Sequence, residues 1–378
     1  MSAIHAAQVN FLAPPVELTN NEVLEHWPSL VDIAEVAASG GTRVSVVQAA
    51  ASDERFTRND IEYHFVDVSG LSRARDRGRR LADALAEIRP NVMHANGLGF
   101  AQDAFAISQC LPQLPIIFQD HADRPPPWWR RTQWRRWYAR IAGVAFTAIE
   151  QAHAFNAGGL FGPTVRVFVI PESSSRFTPG SRVHARAETG LHGDPCVLWI
   201  GHLNAGKDPL TVLDGVALAA SRLLGLQLWC VFGNAPLLDD VQQRIDHDPQ
   251  FGGRVHLLGK APHAQVEVLM RCADLFVSGS HHEGSGYSLL ESLACGVAPV
   301  VTDIPPFRAL TGNGSVGHLW PCGDAARLAE ALIDASVNRA STERVRAHFD
   351  ATLSFSAVGR QWADAYAQVC EDQRRSRA

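Results

Sequence analysis

Short apolar runs alternate with stretches of helical spacing along most of the chain, and this alternation predicts its architecture. Runs typical of buried strands occur in the first half at Gln8 to Leu12, Arg43 to Gln48, Val92 to Ala95, Pro115 to Phe118, Val144 to Ala148 and Val165 to Ile170. After a polar stretch the runs resume at Val197 to Ile200, Gln227 to Phe232, Val255 to Leu258, Leu275 to Ser278 and Ala298 to Thr302. Because strands that alternate with helices form parallel sheets, we expect an α/β protein with two doubly wound domains.

The polar stretch over residues 171–190 marks the expected domain boundary. We place an N-terminal Rossmann-like domain at residues 1–178 and a C-terminal domain at 179–353, followed by a helical stretch at 354–378. A length of 378 residues, of which 46% are hydrophobic, is enough for two cores. Since ligands bind beyond the carboxyl ends of the strands in open α/β sheets, functional loops are expected there.

Charge and cysteine usage argue against several classes of protein. The net charge of -5 disfavours a nucleic-acid-binding protein. The seven cysteines include no CxxC pair, and several lie in apolar runs, so we expect reduced core residues of a cytoplasmic protein. The N-terminus has no basic segment with a cleavage pattern, and no apolar run approaches the roughly 18 residues of a membrane span.

The segment HHEGSGYSLLESLACGVAPVV, residues 281–301, carries the densest candidate chemistry. Gly284 and Gly286 allow the backbone to pass close to a ligand, and a helix is predicted directly after them. The N-terminus of that helix presents N–H groups and a positive dipole end, which suits a phosphate. Glu283 and Glu291 flank this point, and their carboxylates can accept hydrogen bonds from sugar hydroxyls. The pattern therefore predicts a sugar-nucleotide site.

Glu291 also has an interpretation that needs no ligand. Ser288 and Glu291 fit the S-x-x-E pattern of a capping box, in which the two side chains satisfy N–H groups at an ordinary helix start. On the residues alone, this alternative stands beside the functional one.

Three stretches in order along the chain resemble one enzyme family. Glu283 and Glu291, followed by SLACGVAPVV, resemble the EX7E motif of retaining GT-B glycosyltransferases of family 4 type, the glycosyl transferases group 1. VLWIGHLNAGKDPLTVLDGVALA at 197–219 and RVHLLGKAPHAQVEVLMRCADLFVSGS at 254–280 are similar to two further family elements. The resemblance implies a GT-B fold, in which two Rossmann-like domains face a central cleft and a C-terminal helix crosses back to the first domain.

The resemblance also implies retaining transfer from a nucleotide-diphosphate sugar, with no metal and no other cofactor. Lys207 matches the family's diphosphate-contacting lysine and would stabilise the leaving group, although a solvated loop lysine is the alternative. Glu283 would position hydroxyls of the transferred sugar, and no side chain would act as a conventional base. The donor-binding positions would be Glu291, His202, Gly284, Ser285, Gly286, Tyr287, Ser288, Leu289 and Lys260.

The first domain offers two histidines as candidates for the catalytic machinery. FQDHADRP at 118–125 resembles the strand-end H-D element of the same family. His121 would then lie beside the transferred sugar as a contact and polariser, and a structural histidine is the alternative. His94, at the end of the preceding predicted strand, is a second candidate of the same kind.

Three departures from the family pattern bear on activity. His202 stands where the family usually has arginine, so a fixed cation is replaced by a group that titrates near neutrality. No Gly-Gly loop follows the first predicted strand, because FLAPPVELTNNEV occupies residues 11–23 and Gly40-Gly41 precedes the second strand. The family's N-G-V-D reads Glu172 to Ser175. These departures keep open a second hypothesis, a non-catalytic GT-B-like protein that binds a nucleotide sugar or serves as a partner subunit.

Three other motifs are interpreted as structural. GNGSVG at 312–317 has the letters of a dinucleotide-binding loop, but it precedes a strand-like run, so we predict a turn. Asp246 to Asp248 resembles a metal-binding DxD, yet it ends a helix before Pro249. His281-His282-Glu283 lacks the second histidine of a zinc-protease motif. We expect neither a nicotinamide site nor a metal site.

PPPWWRRTQWRRWYARI at 125–141 combines arginines with aromatic residues. As a helix it places Trp134, Trp137, Tyr138 and Ile141 on one face. That face could rest on an anionic membrane and bring a lipid-linked acceptor within reach, which would make the protein peripheral at the inner face. Alternatively, the face packs into the core while arginine stems cover the surface, and the sequence favours this second interpretation. The acceptor, whether a glycan, a lipid-linked sugar or a small molecule, is left open.

Overall fold

The computed structural model describes residues 3–15 and 17–376, so predicted segments that reach residues 1–2, 16 or 377–378 lie partly outside it. The described chain forms two compact units. The first comprises the residues up to Ser174 together with those from Phe355 onward, and the second comprises Ser175–Ser354. The sequence predicts boundaries after residues 178 and 353.

A twisted sheet forms the centre of the first unit. Its strands are β1 (His5–Asn10), β2 (Arg43–Ala50), β3 (Glu54–Arg58), β4 (Ile61–Asp67), β5 (Val92–Asn96), β6 (Ile116–Gln119), β7 (Gly143–Phe146) and β8 (Arg166–Val169). Over the described residues the order is β3-β4-β2-β1-β5-β6-β7-β8, and all neighbours are parallel except β3 and β4. The helices before the second unit are α1 (Asn20–His26), α2 (Pro28–Ser39), α3 (Ala74–Ile88), α4 (Ala101–Cys110), α5 (Arg131–Tyr138) and α6 (Ile149–Ala157).

The second unit is built on a sheet that is parallel throughout its described strands. The strands are β9 (Cys196–Gly201), β10 (Gln227–Phe232), β11 (Val255–Gly259), β12 (Leu275–Ser278), β13 (Ala298–Thr302) and β14 (His318–Trp320). They lie in the order β11-β10-β9-β12-β13-β14. The helices are α7 (Arg182–Thr189), α8 (Pro209–Ala220), α9 (Leu238–His247), α10 (His263–Cys272), α11 (Tyr287–Cys295), α12 (Pro305–Leu310), α13 (Ala325–Asn338) and α14 (Thr342–Thr352).

The last helix, α15 (Phe355–Arg375), belongs to the first unit although it follows the second in sequence. Two glycines let it approach α2 closely. A Cβ on Gly40 would lie 2.1 Å from the Gly359 carbonyl oxygen, and one on Gly359 would lie 2.4 Å from the Val36 carbonyl oxygen. Trp362 and Tyr366 of α15 are fully buried in the core on this side of the sheet.

The α/β class with two parallel-sheet domains is confirmed, and the reason is visible in the strands. Each apolar run predicted as a strand overlaps a strand of the structure, since buried parallel strands are apolar on both faces. The sequence missed the hairpin of β3 and β4. Its two turn residues, Asn59 and Asp60, both have positive φ (50° and 61°), the signature of a tight hairpin turn.

The segment 125–141 forms a short 3-10 turn, Trp128–Arg130, followed by α5. The aromatic face predicted for a helix lies in the core, because Trp137 and Tyr138 are buried there and Trp134 packs against them. The second interpretation from the sequence is therefore confirmed for these side chains.

Candidate active site

The loop from β9 to α8 carries Lys207 and is anchored by the next residue. Asp208 has left-handed backbone angles (φ 46°, ψ 57°), which are unfavourable for a residue with a side chain, and it accepts a hydrogen bond from Thr211 N–H (3.3 Å) as the cap of α8. Its Oδ2 atom also lies 2.8 Å from His281 Nε2, and His281 N–H donates to the Gly206 carbonyl (2.9 Å). These contacts tie the loop of Lys207 to the loop that follows β12.

A glycine that the sequence analysis did not single out makes this approach possible. A Cβ on Gly279, directly after β12, would lie 2.9 Å from Val212 Cγ2 and 3.1 Å from the Asp208 carbonyl oxygen. Any other residue would push the two loops apart. Gly279 therefore sets the spacing between the two segments that bear the candidate catalytic residues.

Helix α11 begins immediately after the glycine-rich loop. Gly286 is its N-cap residue in the left-handed region (φ 63°), and the first intrahelical hydrogen bond runs from Leu290 N–H to the Gly286 carbonyl (3.0 Å). The N–H groups of residues 287–289 thus precede the helical ladder and point to the loop side, where an anion is favoured. The predicted stop at Gly296 is confirmed, since this residue is the left-handed C-cap (φ 74°).

The capping-box interpretation of Ser288 and Glu291 is wrong. Because Gly286 occupies the N-cap, Ser288 lies inside the first turn and α11 has no side-chain cap. A serine at this position cannot accept the hydrogen bond that defines the motif. The carboxylate of Glu291 points elsewhere and its side chain is only 13% exposed.

Lys207 and Glu283, both predicted as catalytic residues, lie next to each other. The Lys207 ammonium forms an ion pair with Glu283 Oε1, and both side chains are largely buried. The pair lies at the carboxyl edge of the second sheet, close in sequence to the N-terminus of α11. Lys207 is therefore held by an ion pair and is not a freely solvated loop lysine.

Glu291 is paired with a residue that the sequence analysis did not name. Its Oε1 atom lies 2.8 Å from Nε2 of His263, the first residue of α10, whose ring packs against Phe177 at a centroid distance of 4.8 Å. Lys260, a predicted donor-binding residue, is exposed just before the same helix. The structure thus places the loop between β11 and α10 beside Glu291.

The other predicted donor-binding residues differ in how far their side chains are exposed to a ligand. His202 follows β9 and is exposed, and its Nδ1 atom accepts a hydrogen bond from Asn234 N–H (3.2 Å). Gly284, Ser285, Tyr287 and Ser288 are half-buried in the loop and the first turn of α11. Leu289 is 1% exposed and its side chain lies in the core, so only its backbone can face a ligand.

Lysine usage marks the same region. The chain has 34 lysines and arginines in all, and its only lysines are Lys207 and Lys260. Both lie in loops that follow strands at the carboxyl edge of the second sheet. A compact ammonium on a flexible stem suits a phosphate contact, whereas arginine supplies the remaining positive charge of the chain.

His121, the candidate of the first unit, lies in a buried polar cluster after β6. Its Nδ1 atom lies 2.6 Å from Glu172 Oε1 and its Nε2 atom 3.3 Å from Asn96 Oδ1. Because both ring nitrogens face oxygen acceptors, the arrangement suits a protonated imidazolium. Burial lowers the pKa of His121, but Glu172, with Asp123 and Asp120, outweighs that effect and raises it.

Two aspartates shape the backbone of the same cluster. Asp120 is 5% exposed and accepts hydrogen bonds from the N–H groups of Ala122 (3.2 Å) and Asp123 (3.0 Å). Burial, reinforced by the nearby Asp123 carboxylate, raises the pKa of Asp120 to about 7. Asp123 in turn accepts from Leu98 N–H (2.8 Å) and fixes the loop after β5.

His94 is a structural histidine. It is fully buried, hydrogen-bonded to the Tyr366 hydroxyl (2.7 Å) and to Gln119 Oε1 (2.9 Å), and its ring packs on Trp362 at 4.2 Å. Burial lowers the pKa of His94 to about 3, so the ring is neutral. It joins α15 to the sheet and offers no atom to a substrate.

The remaining motifs behave as turns and helix ends. GNGSVG forms a turn before β14, and Asp246 and Asp248 lie at the end of α9 as predicted. Among the described residues, no group of three or more His, Cys, Asp or Glu side chains is arranged to hold a metal ion. No helix in the described part of the chain has the length and apolar character that a membrane span requires.

Known structures share this GT-B architecture. HepE from Anabaena, solved in complex with UDP, matches with a TM-score of 0.71 at 17% identity, over 97% of this chain and 100% of that one. At this identity the likeness concerns the fold alone.

Two relatives found by sequence similarity are mannosyltransferases. GDP-mannose:cellobiosyl-diphosphopolyprenol alpha-mannosyltransferase of Xanthomonas oryzae is 24% identical over 60% of this chain and 60% of its own length. Phosphatidyl-myo-inositol mannosyltransferase of Mycobacterium leprae is 36% identical over 25% of this chain and 26% of its own length. The chain thus spans at most about 60% of these relatives. Residues 182–348, which lie within the second unit, match the model of the glycosyl transferases group 1 family.

Proposed function

We propose that the protein is a retaining glycosyltransferase that moves a sugar from a nucleotide-diphosphate sugar to a hydroxyl group of an acceptor. The observation that carries this proposal is the Lys207 and Glu283 pair at the carboxyl edge of the second sheet, near the start of α11. A cation, a helix N-terminus and a carboxylate in one place suit a diphosphate that carries a sugar.

In the proposed reaction, the bond between the anomeric carbon and the diphosphate oxygen breaks as the acceptor oxygen bonds to the same face of the sugar. The acceptor proton passes to the departing phosphate oxygen, so no side chain serves as the base. Lys207 and the N–H groups of residues 287–289 stabilise the growing negative charge, and Glu283 orients sugar hydroxyls. These fixed charges support transfer without a metal, and we expect a chelator to leave the rate unchanged.

The nucleoside half of the donor is assigned to the side of Glu291. Its carboxylate, oriented by His263, can accept hydrogen bonds from ribose hydroxyls. Lys260 lies three residues before His263 and is exposed toward solvent, where it can meet the base or the phosphate. The relatives named above include an enzyme that uses GDP-mannose and a structure that holds UDP. Either base is compatible with these residues.

Acceptor recognition is assigned to the first unit, in assembly of a polysaccharide or another glycoconjugate. His121 is proposed to contact the transferred sugar in its protonated form. The Xanthomonas relative acts on a diphosphopolyprenol-linked sugar, which supports a lipid-linked acceptor here. Such an acceptor would require contact with a membrane surface.

The structure changes which residues are proposed for that contact. Trp128 and Trp129 are 75% and 67% exposed and lie beside the exposed Arg124 and Arg130, whereas the α5 aromatic face is in the core. Exposed tryptophans flanked by arginines suit an anionic lipid interface. In co-sedimentation with anionic vesicles, replacing both tryptophans by alanine should release the protein. Leu224→Ala, at a residue that is 80% exposed, serves as the control, and unchanged binding of the double variant would remove the proposal.

The decisive experiment combines binding with turnover. A thermal-shift panel of nucleoside diphosphates and their sugars identifies the donor, and release of nucleoside diphosphate on addition of acceptor measures transfer. Lys207→Ala should reduce turnover by roughly a hundred- to a thousandfold, as expected for loss of one preorganised charge. Glu291→Ala should weaken donor binding, and the exposed pair Arg327→Ala and Glu330→Ala provides matched controls.

Two outcomes separate the alternatives. Undiminished turnover in both Lys207→Ala and Glu291→Ala would refute the site. Donor binding without any release of diphosphate would instead favour a nucleotide-sugar-binding partner subunit, the hypothesis raised by His202 and the missing Gly-Gly loop.

A further inference from the structure

A polar cavity lies at the amino-terminal edge of the second sheet. This is the edge opposite to the one that carries Lys207 and Glu283. The volume of the cavity is about 430 Å³. The walls come from the start of α7, the end of α13, the start of α14 and the residues at the amino ends of β12 and β13. The polar residues that matter are Arg182, Asp274, Arg339, Ser341 and Thr342.

Asp274 is the single carboxylate in the wall of this cavity, and its two oxygen atoms have different partners. Its Oδ2 atom accepts a hydrogen bond from Arg186 Nη2 (2.7 Å) and another from Cys196 N–H (2.9 Å). Arg186 also donates to the Cys272 carbonyl (3.0 Å), so its guanidinium has two acceptors. The Oδ2 atom is therefore satisfied by residues outside the cavity wall.

Two more guanidinium groups nevertheless face the same carboxylate at longer distances. Arg182 Nη1 lies 3.3 Å and Arg339 Nη2 lies 3.5 Å from Asp274 Oδ1. Within the described residues, Arg182 makes no hydrogen bond with good geometry, and its buried Nε atom has no acceptor. Buried donors are normally satisfied, so this arginine calls for an acceptor in the cavity.

The local charge also favours an anion. Three guanidinium groups stand against two carboxylates, Asp274 and Glu343, the latter in the first turn of α14. Helix α14 has 11 residues, and its positive end lies at the cavity wall with Ser341 and Thr342. The Thr342 hydroxyl can donate to an oxyanion, whereas the Ser341 side chain caps the helix by accepting a hydrogen bond from Arg344 N–H (3.3 Å).

We propose that this cavity binds an oxyanion of the phosphate type, held by Arg182 and Arg339 and by the start of α14. The ligand is either orthophosphate or the phosphate group of a small ester, since both present the same oxygens. The inference does not depend on the proposed glycosyl transfer. It follows from two guanidinium groups that share one carboxylate oxygen, since Arg182 has a buried Nε atom without an acceptor and Arg339 is held at the same wall by the Ser336 carbonyl.

The test measures anion binding to the full chain at constant ionic strength, with sodium chloride replaced by inorganic phosphate. Phosphate should raise Tm in a dose-dependent manner, and Arg182→Gln and Arg339→Gln should each weaken binding about tenfold, the loss expected for one hydrogen bond to a charged group. The double variant should lose the effect. Glu343→Gln should bind phosphate more tightly, because it removes an opposing charge.

A second set of variants and ligands distinguishes phosphate binding in this cavity from phosphate binding at the proposed diphosphate site. Lys207→Ala should keep the phosphate-dependent rise in Tm, and loss of the rise in Lys207→Ala alone would overturn the proposal. A rise no larger than that with chloride would also overturn it. Glycerol 3-phosphate compared with orthophosphate distinguishes an ester from the free ion. If the double variant folds poorly, titration of Arg182→Lys, Arg182→Gln and the wild type followed by 31P NMR gives the same comparison.

Discussion

The Lys207 ammonium and the Glu283 carboxylate form an ion pair at the carboxyl edge of the second sheet. In the proposed reaction these two groups have different partners, since the lysine meets the diphosphate and the carboxylate meets the sugar. Donor binding must therefore separate them. The pair keeps both charges in place, and the cost of breaking it lowers the affinity for the donor.

Glu283→Gln should separate binding from catalysis. The amide no longer competes for Lys207, so affinity for a nucleoside diphosphate should rise by about 1 kcal/mol, roughly fivefold. Turnover of the full donor should fall because the amide is a poorer acceptor for sugar hydroxyls. Calorimetry with nucleoside diphosphate and a diphosphate-release assay measure the two effects. Glu330→Gln is the control, and weaker binding by Glu283→Gln would contradict the explanation.

Glu172→Gln should change how stability depends on pH. The pKa of His121 is raised in the folded state, so its stabilising contribution is complete below the unfolded value of 6.5 and is lost as pH rises through the folded value. The wild type should therefore exceed Glu172→Gln in free energy of unfolding by about 2 kcal/mol near pH 6, with a smaller difference near pH 9. Denaturant titrations at both pH values measure this.

The matched control for that experiment is Glu25→Gln, at an exposed glutamate of α1 in the same unit. It should show no such change with pH. A difference between wild type and Glu172→Gln that is equal at both pH values would mean that Glu172 only fills space and does not hold the imidazolium.

His94 should make the first unit sensitive to acid. Because its pKa falls to about 3 on folding, the unfolded chain binds a proton below about pH 6.5 that the folded chain rejects. The free energy of unfolding should then decrease by up to roughly 1.4 kcal/mol for each pH unit between about 6.5 and 3. His94→Gln should flatten this slope between pH 7 and 5, whereas His153→Gln at an exposed position should not. An equal slope in His94→Gln would contradict the assignment.

Gly359→Ala should destabilise the first unit. Alanine usually favours a helix by about 1 kcal/mol over glycine, but here the new Cβ would lie 2.4 Å from the Val36 carbonyl oxygen of α2. Since backbone cannot yield as a side chain does, we expect a net loss of about 2 kcal/mol or more. Thermal unfolding measures it, and Asp364→Ala on the exposed face of α15 is the control. A gain in Tm for Gly359→Ala would show that α15 can move away from α2.

The sheets could be predicted from the sequence because their strands are buried on both faces. A parallel strand such as β13 is an apolar run that can be recognised without its partner strands. The edge strand β3 is largely exposed, and four of its five residues are polar. Its sequence therefore lacks the apolar run by which a buried strand is recognised. Local periodicity therefore found the cores and missed the edge hairpin.

The site could be predicted only in part. Glu283, Gly286 and the start of α11 are close in sequence, and spacing alone brings them together. The partners of the predicted residues come from distant loops: His263 pairs with Glu291 and Glu172 pairs with His121. The capping-box error has the same origin, since two residue types at the right spacing do not show where the helix begins.

The close fit of α15 against α2 has a consequence for how the chain is made. The strands of the first unit are synthesised before the second unit, yet the helix that covers them, α15, is synthesised after it. The second unit is continuous in sequence and can fold as soon as it is complete. The first unit therefore finishes folding after the second, and until α15 has been synthesised its sheet lacks Trp362 and Tyr366.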